Sequence, residues 1–181
     1  MTLVTRETAE TSIRCELRPG TGVAHVSTGQ SFLDHMLVVF ARYSGLDLEI
    51  EAKGDLQHHL VEDVAISVGA AVAGALPPTA ARYGDRTVPM DDALVHCAVD
   101  LGGRPFYRGP LPSSLYDHWM RSFSDSARAT LHLRVLRGTD RHHVVEAAFK
   151  ALGLAVRDAF VDSGAVFSTK GAVGMRVEDL G

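Results

Sequence analysis

The sequence predicts an α+β protein built by tandem duplication of one sheet-and-helix half, and three observations carry that prediction. First, short motifs recur in the same order at nearly constant spacing. Asp34-His35-Met36 returns as Asp117-His118-Trp119, 83 residues later, and His58-His59-x-x-Glu62 returns as His142-His143-x-x-Glu146, 84 residues later. Leu48–Ala52 and Leu131–Val135 are 83 apart and Cys15 and Cys97 are 82 apart, so single-residue differences in connecting loops account for the drift. Second, each copy runs through period-2 segments and then helical-period segments. Third, 181 residues that are 46% hydrophobic and 22% charged suit one domain with a real core. Two copies are too few for a solenoid. The repeats run about 7–84 and 85–171, followed by a tail at 172–181, and form one domain over 1–181.

Each element has a local cause. Thr11–Leu17 and Val23–Ser27 have β character, and Pro19-Gly20 punctuates the turn between them. Ser31–Tyr43 places Phe32, Met36, Val39 and Phe40 near helical spacing, and Gly45 ends the helix. Leu46–Ala52 alternates apolar and charged residues as a half-buried strand does. His58–Leu76 is a long apolar helix that Pro77-Pro78 must stop. In the second copy Leu94–Leu101 is a strand, Ser114–Ala127 a helix, Thr130–Leu136 a strand and His142–Phe160 the second long helix.

Composition excludes several classes of partner. Eighteen Lys+Arg against 22 Asp+Glu leave a net charge of −4, which argues against a basic nucleic-acid groove. The start of the chain has no apolar targeting segment, and no apolar run reaches the roughly 20 residues that span a bilayer. Two cysteines, Cys15 and Cys97, are too few for a disulfide scaffold, so the expected setting is the reducing cytoplasm, with neither membrane nor nucleic acid as partner.

The informative residues are the nine histidines. At a helix start, residues i and i+4 share a face, so His58 can join Glu62, and His142 can join Glu146, at one metal. Adjacent helical residues diverge by about 100°, so His59 and His143 must serve a second metal or one shared with another part of an assembly. The ligand set is His35, His58, His59 and Glu62 from one copy, with His118, His142, His143 and Glu146 from the other, four ligands for each of two metals. Imidazole with carboxylate suits Mn, Fe, Zn, Co or Ni. Neutral imidazole is required, so affinity should fall below about pH 6.5. Asp34 and Asp117 can either orient neighbouring ligands or serve their helix starts. His25, His96 and His132 fall outside the repeated sets and read as ordinary strand residues.

At these residues the sequence resembles the imidazoleglycerol-phosphate dehydratase family. The matching segments are Glu10-Thr-Ser-Ile, Phe32-Leu-Asp-His-Met-Leu, His58-His-Leu-Val-Glu-Asp, Pro89-Met-Asp, Gly103-Arg-Pro, Asp117-His118, His142-His-Val-Val-Glu-Ala-Ala-Phe-Lys-Ala and Ser168-Thr-Lys-Gly. They run in family order from about Glu7 to Gly171, and the two His-His-x-x-Glu motifs are the specific part. The resemblance implies a ribosomal S5 domain 2-like fold in each half, with the helices packed between two four-stranded sheets. It implies a homo-oligomer of about 24 subunits built from trimers. It also implies dimetal sites at subunit interfaces holding two Mn²⁺ per active site.

The implied reaction is dehydration of imidazole glycerol phosphate to imidazole acetol phosphate, in histidine biosynthesis, through a dimetal-bound imidazolate. The proton to be removed does not lie beside a carbonyl, so two metals on the ring nitrogens and a carboxylate acid–base are useful. By resemblance Glu10 is that carboxylate, with Glu62 and Glu146 at the catalytic centre mainly as ligands. The phosphate falls to Arg82, Arg104, Lys150, Ser168 and Lys170, with Asp91 an acidic position near the site. Departures from the pattern are a shortened loop at Gly54-Asp55-Leu56-Gln57, Leu60 in place of threonine and Val39 in place of glutamine. Two rival readings are a dimetal hydrolase of small phosphorylated substrates and a catalytically impaired, metal-stabilised assembly protein.

Overall fold

The computed structural model describes residues 1–166. Ser168 and Lys170, and the tail at 172–181, lie outside the described residues. The first half runs β1 (Thr2–Glu7), β2 (Thr11–Pro19), β3 (Ala24–Ser27), α1 (Ser31–Ser44), β4 (Leu46–Gly54) and α2 (Gln57–Ala75). The second repeats that order as β5 (Tyr83–Met90), β6 (Ala93–Asp100), β7 (Phe106–Arg108), α3 (Ser114–Ser126), β8 (Thr130–Arg137) and α4 (Arg141–Ala159).

Each half folds its strands into a four-stranded sheet, in the orders β1-β2-β4-β3 and β5-β6-β8-β7. Both sheets are antiparallel except at one edge, where β3 pairs parallel to β4 and β7 parallel to β8. A parallel pair needs a crossover, and α1 and α3 supply it. Alternation does the rest. Ile13, Cys15 and Leu17 on β2, and Val95, Cys97 and Val99 on β6, turn inward and are buried, so the two cysteines occupy matching core positions as unpaired thiols.

The four helices lie between the sheets, and the core belongs to both halves. Trp119 on α3 packs on Phe149 of α4 with ring centroids 4.6 Å apart, and Phe40 on α1 meets Phe123 on α3 at 5.9 Å. Each such ring, fully buried, stabilises the fold by roughly 1.5–3 kcal/mol. The pairing of helices crosses the halves: α1 packs on α4, and α2 on α3.

Close approach within each pair depends on a glycine. A Cβ at Gly69 on α2 would stand 2.6 Å from the Phe123 carbonyl, and one at Gly153 on α4 would stand 2.9 Å from Tyr43 Cβ. Three strands were not individually readable from the sequence. β1 is an edge strand of alternating exposure, β5 carries Gly84 and Pro89, and β7 is three residues long.

Candidate metal centre

The crossed helix pairs place helix starts side by side and so assemble two equivalent clusters. His35 from α1 joins His142 and Glu146 from α4; His118 from α3 joins His58 and Glu62 from α2. Each cluster thus takes one histidine from one half and a His-x-x-x-Glu pair from the other, a division that spacing along the chain does not reveal. In the first, the Nε2 atoms of His35 and His142 lie 3.3 and 3.2 Å from the same Glu146 oxygen. In the second, those of His118 and His58 lie 3.2 and 3.7 Å from one Glu62 oxygen. With metal–ligand bonds of about 2.1 Å, neighbouring ligand atoms stand roughly 3.0–3.4 Å apart, so both clusters are close to the spacing an ion requires.

The donor chemistry fits a cation as well. His118 Nε2 is buried without a hydrogen-bond partner although it faces the Glu62 carboxylate, and an orphaned buried nitrogen is costly unless something ligates it. The His118 ring stacks on His58 at 5.0 Å, and Phe32 stands 5.0 Å from the His142 ring and 5.0 Å from Tyr116, bracing the two imidazoles. A cleft of about 240 Å³ lined by Phe32, Ser113, Tyr116, Arg141, His142 and Val145 opens beside the Glu146 cluster. Burial opposes ionisation of Glu146, but the Lys150 ammonium 3.0 Å away and His35 outweigh it and hold the carboxyl below its usual range.

His59 and His143 stand outside both clusters, with rings 6.3 Å from His58 and 6.0 Å from His142 at steep angles. Each has its Nδ1 engaged by a carboxylate: His59 by Asp55 at 2.9 Å, and His143 by Asp92 at 2.8 Å. That hydrogen bond raises each imidazole above the ordinary histidine pKa, burial opposing it. A carboxylate on Nδ1 leaves Nε2 as the ligand atom.

Asp92 also accepts the backbone N–H groups of Thr139 and Asp140 and the Thr139 hydroxyl, which drive its own carboxyl well down. Asp140 caps α4, accepting the N–H groups of His142 and His143. Neither Asp55 nor Asp92 is singled out by the motifs. The available signals are that Asp55 precedes His59 by one helical turn and that Asp92 follows Asp91 in the Pro89-Met-Asp-Asp turn.

The remaining expected residues divide. Glu10 reaches the site, its carboxylate 3.4 Å from His59 Nδ1, and Asp91 lies 3.5 Å from His143 Nε2. Lys150 turns toward Glu146 and Tyr43. Arg82 is held by Asp100 and the Leu101 carbonyl, and the Arg104 backbone carbonyl accepts the Thr130 hydroxyl. Asp34 and Asp117 tie the loops in front of their helices. Asp34 accepts the Thr28 N–H and hydroxyl, and Asp117 accepts the Leu111 N–H and Tyr107 hydroxyl. His96 bonds Thr87 and His132 leans on Phe106, away from both clusters.

Comparison with known proteins places these features in context. Residues 28–156 match the family model described as imidazoleglycerol-phosphate dehydratase. The chain is 43% identical over 187 residues to imidazoleglycerol-phosphate dehydratase of Chlorobium luteolum, and 46% identical over 189 residues to that of Salinibacter ruber. Both alignments cover 94% of each chain. The fold is similar to the crystal structure of IGPD from Pyrococcus furiosus, with a TM-score of 0.86 at 40% identity, covering 94% of this chain and 100% of that one.

Proposed function

The chain belongs to the imidazoleglycerol-phosphate dehydratase family, and from that premise we propose that it removes water from imidazole glycerol phosphate to give imidazole acetol phosphate, a hydro-lyase step of histidine biosynthesis. The observation that carries this reading is the pair of matching His-His-Glu clusters, each drawn from both halves of the chain.

The residues fit two divalent ions, and we assign Mn²⁺. His35, His142 and Glu146 hold one, and His58, Glu62 and His118 the other. His59 and His143, with Nδ1 already engaged, offer Nε2 to an ion held by another subunit in a homo-oligomer of about 24 built from trimers. When bound, the ions supply Lewis acidity toward an imidazole ring and a nearby hydroxyl.

The chain's own groups do the rest. Glu10 is the acid–base residue: among the described residues no hydrogen bond immobilises its carboxylate, which is half-exposed beside His59. It accepts the proton from the carbon that keeps its hydroxyl, while the neighbouring carbon loses its hydroxyl as water. The resulting enol becomes the ketone when that neighbouring carbon takes up a proton. Such a group contributes about 10²–10⁴-fold. Glu62 and Glu146 act at the same centre as ligands. Arg104, Arg82, Lys150, Ser168 and Lys170 form the cationic and hydroxyl set for the phosphate, with Lys150 on the Glu146 side and Asp91 beside His143.

The unpaired, buried cysteines suit a cytoplasmic setting, and among the described residues no helix is long and apolar enough to cross a membrane. The test is turnover: purified protein loaded with Mn²⁺ converts imidazole glycerol phosphate to the ketone. Metal-loaded, assembled protein that makes no ketone overturns the proposal, and hydrolysis of simple phosphate esters in its place points to a dimetal hydrolase.

A further inference from the structure

The turn between β1 and β2 carries Glu10, and a polar triad of buried Thr11 and Asp63 with partly buried Arg6 fastens that turn to α2. Asp63, next to Glu62 on α2, is buried. One of its oxygens accepts the Thr11 hydroxyl, and the other lies 2.9 Å from the Arg6 guanidinium. Thr11 Oγ1 is 3.0 Å from Thr8 Oγ1, which accepts the N–H groups of Glu10 at 3.1 Å and Thr11 at 2.9 Å. From the other side, the Glu10 carbonyl accepts the Asp55 N–H at 3.1 Å. The backbone of Glu10 is therefore fixed on two sides while its carboxylate, which accepts no hydrogen bond among the described residues, faces His59 Nδ1 at 3.4 Å.

The second half shows that the fold does not need this triad. Strand register aligns Arg6, opposite Ile13, with Val88, opposite Val95. By the same repeat Thr11 corresponds to Ala93 and Asp63 to Ala147, and all three counterparts are buried and apolar. Asp63 is buried and Arg6 only partly so, and replacing a pair with a buried member by packed apolar groups is often neutral or stabilising. This pair is also incompletely satisfied, because Arg6 Nε is buried without a partner.

The counterpart of Glu10 is Asp92, and its carboxylate is immobilised directly by Thr139, Asp140 and His143. One copy thus locks the acid through four hydrogen bonds to its oxygens; the other fixes the backbone and leaves the carboxylate a single longer contact, to His59 Nδ1 at 3.4 Å.

We propose that Asp63 is a positioning residue for Glu10, acting through Thr11 and Thr8 to hold its carboxylate at the reaction centre. The inference rests on Glu10 being the acid–base group. Small displacements of such a group, on the order of 1 Å, cost up to about 100-fold in rate.

Thr11→Val deletes the hydroxyl link at nearly constant size. It is expected to lower kcat by about 10–100-fold with KM within about threefold and Mn²⁺ content unchanged, and to lower Tm by several degrees because one buried Asp63 oxygen loses its donor; Thr11→Ser restores most of the rate. A triple variant copying the other half, Arg6→Val/Thr11→Ala/Asp63→Ala, is expected to fold, load Mn²⁺ and show the same loss. Glu10→Gln on that background then costs less than it does in the parent protein, the two effects being non-additive.

If Glu10→Gln in the parent protein runs at near-normal rate, the acid–base reading fails and takes the inference with it. If Glu10→Gln is inactive while Thr11→Val and the triple variant keep the parental kcat, the positioning role alone is overturned. A triple variant that does not fold also overturns it, since the triad is then structural.

Discussion

Enlarging Gly69 to alanine tests whether helix contact sets the metal centre. Gly69 and Gly153 stand eleven residues after His58 and His142, where each long helix meets its partner from the other half. At Gly69 the new Cβ meets the Phe123 carbonyl at 2.6 Å and the Ala127 nitrogen at 3.0 Å, so it falls about 0.8 Å short of the 3.4 Å where ordinary contact begins. Both obstacles are backbone, and relief requires α3 to move. Inside a helix, glycine to alanine is worth about 1 kcal/mol in favour of the variant, whereas overpacking costs about 1–3 kcal/mol.

The net expectation is a loss of up to about 2 kcal/mol, or up to about 8 °C in Tm for a chain of this size. The larger consequence is at the site. α3 carries His118, 3.2 Å from Glu62, and metal–ligand distances tolerate only about 0.2 Å of error. Titration calorimetry with Mn²⁺ should therefore show the His58/Glu62/His118 cluster weakened about 10–100-fold, with the His35/His142/Glu146 cluster retained. Gly153→Ala, whose nearest obstacle is the Tyr43 Cβ at 2.9 Å, should do less. A Gly69→Ala protein with raised Tm and both ions bound at parental affinity would refute the reasoning.

Three other outcomes follow from the same geometry. Glu10→Gln keeps both ions and loses about 10²–10⁴-fold in turnover, checked by metal analysis beside the ketone assay. His118→Phe keeps the stack on His58 and removes the orphaned nitrogen, so by calorimetry the metal-free protein is unchanged or more stable by up to about 1–3 kcal/mol while metal content drops. For pH, the protonated forms of His59 and His143 are favoured by Asp55 and Asp92, with Glu10, Asp63, Asp91 and Asp140 adding to the field. Their stabilisation of the metal-free fold is complete below the ordinary value of 6.5 and is lost as pH rises through the raised value. Mn²⁺ affinity runs the opposite way, because the ion takes neutral imidazole, so it should keep climbing above pH 6.5. A binding curve flat above that point would contradict the assignment of these two residues.

What the sequence made legible follows from how local each cause is. The four helices and five of the strands have periodic apolar residues and local stops such as Gly45 and Pro77-Pro78, so their signals lie within one segment. β1, β5 and β7 draw their identity from a neighbour: β1 and β5 exist because β2 and β6 offer an open edge, and β7 because β8 does. The His-x-x-x-Glu pairs were equally local, one helical turn each. Their third members were not, since His35 reaches Glu146 only because α1 crosses to α4, and His118 reaches Glu62 only because α3 crosses to α2. Asp55 and Asp92 carry the same lesson, because what they do depends on which histidine nitrogen faces them.

The crossing itself has a functional reason. If each half had kept its own histidines, either half could have bound metal alone, and the interface between them would have carried apolar packing only. With His35 and His118 exchanged, each cluster closes only when α1 meets α4 and α2 meets α3, so metal binding and the docking of the two halves become one equilibrium. The two clusters then stay matched while the carboxylates next to the spare histidines diverge. Asp92 accepts from four donors, whereas Glu10 has a fixed backbone and a carboxylate that meets His59 Nδ1 at the longer distance of 3.4 Å. The two halves thus present matched His-His-Glu clusters beside unlike carboxylates, and it is this difference that singles out Glu10 over Asp92 as the proposed acid–base group.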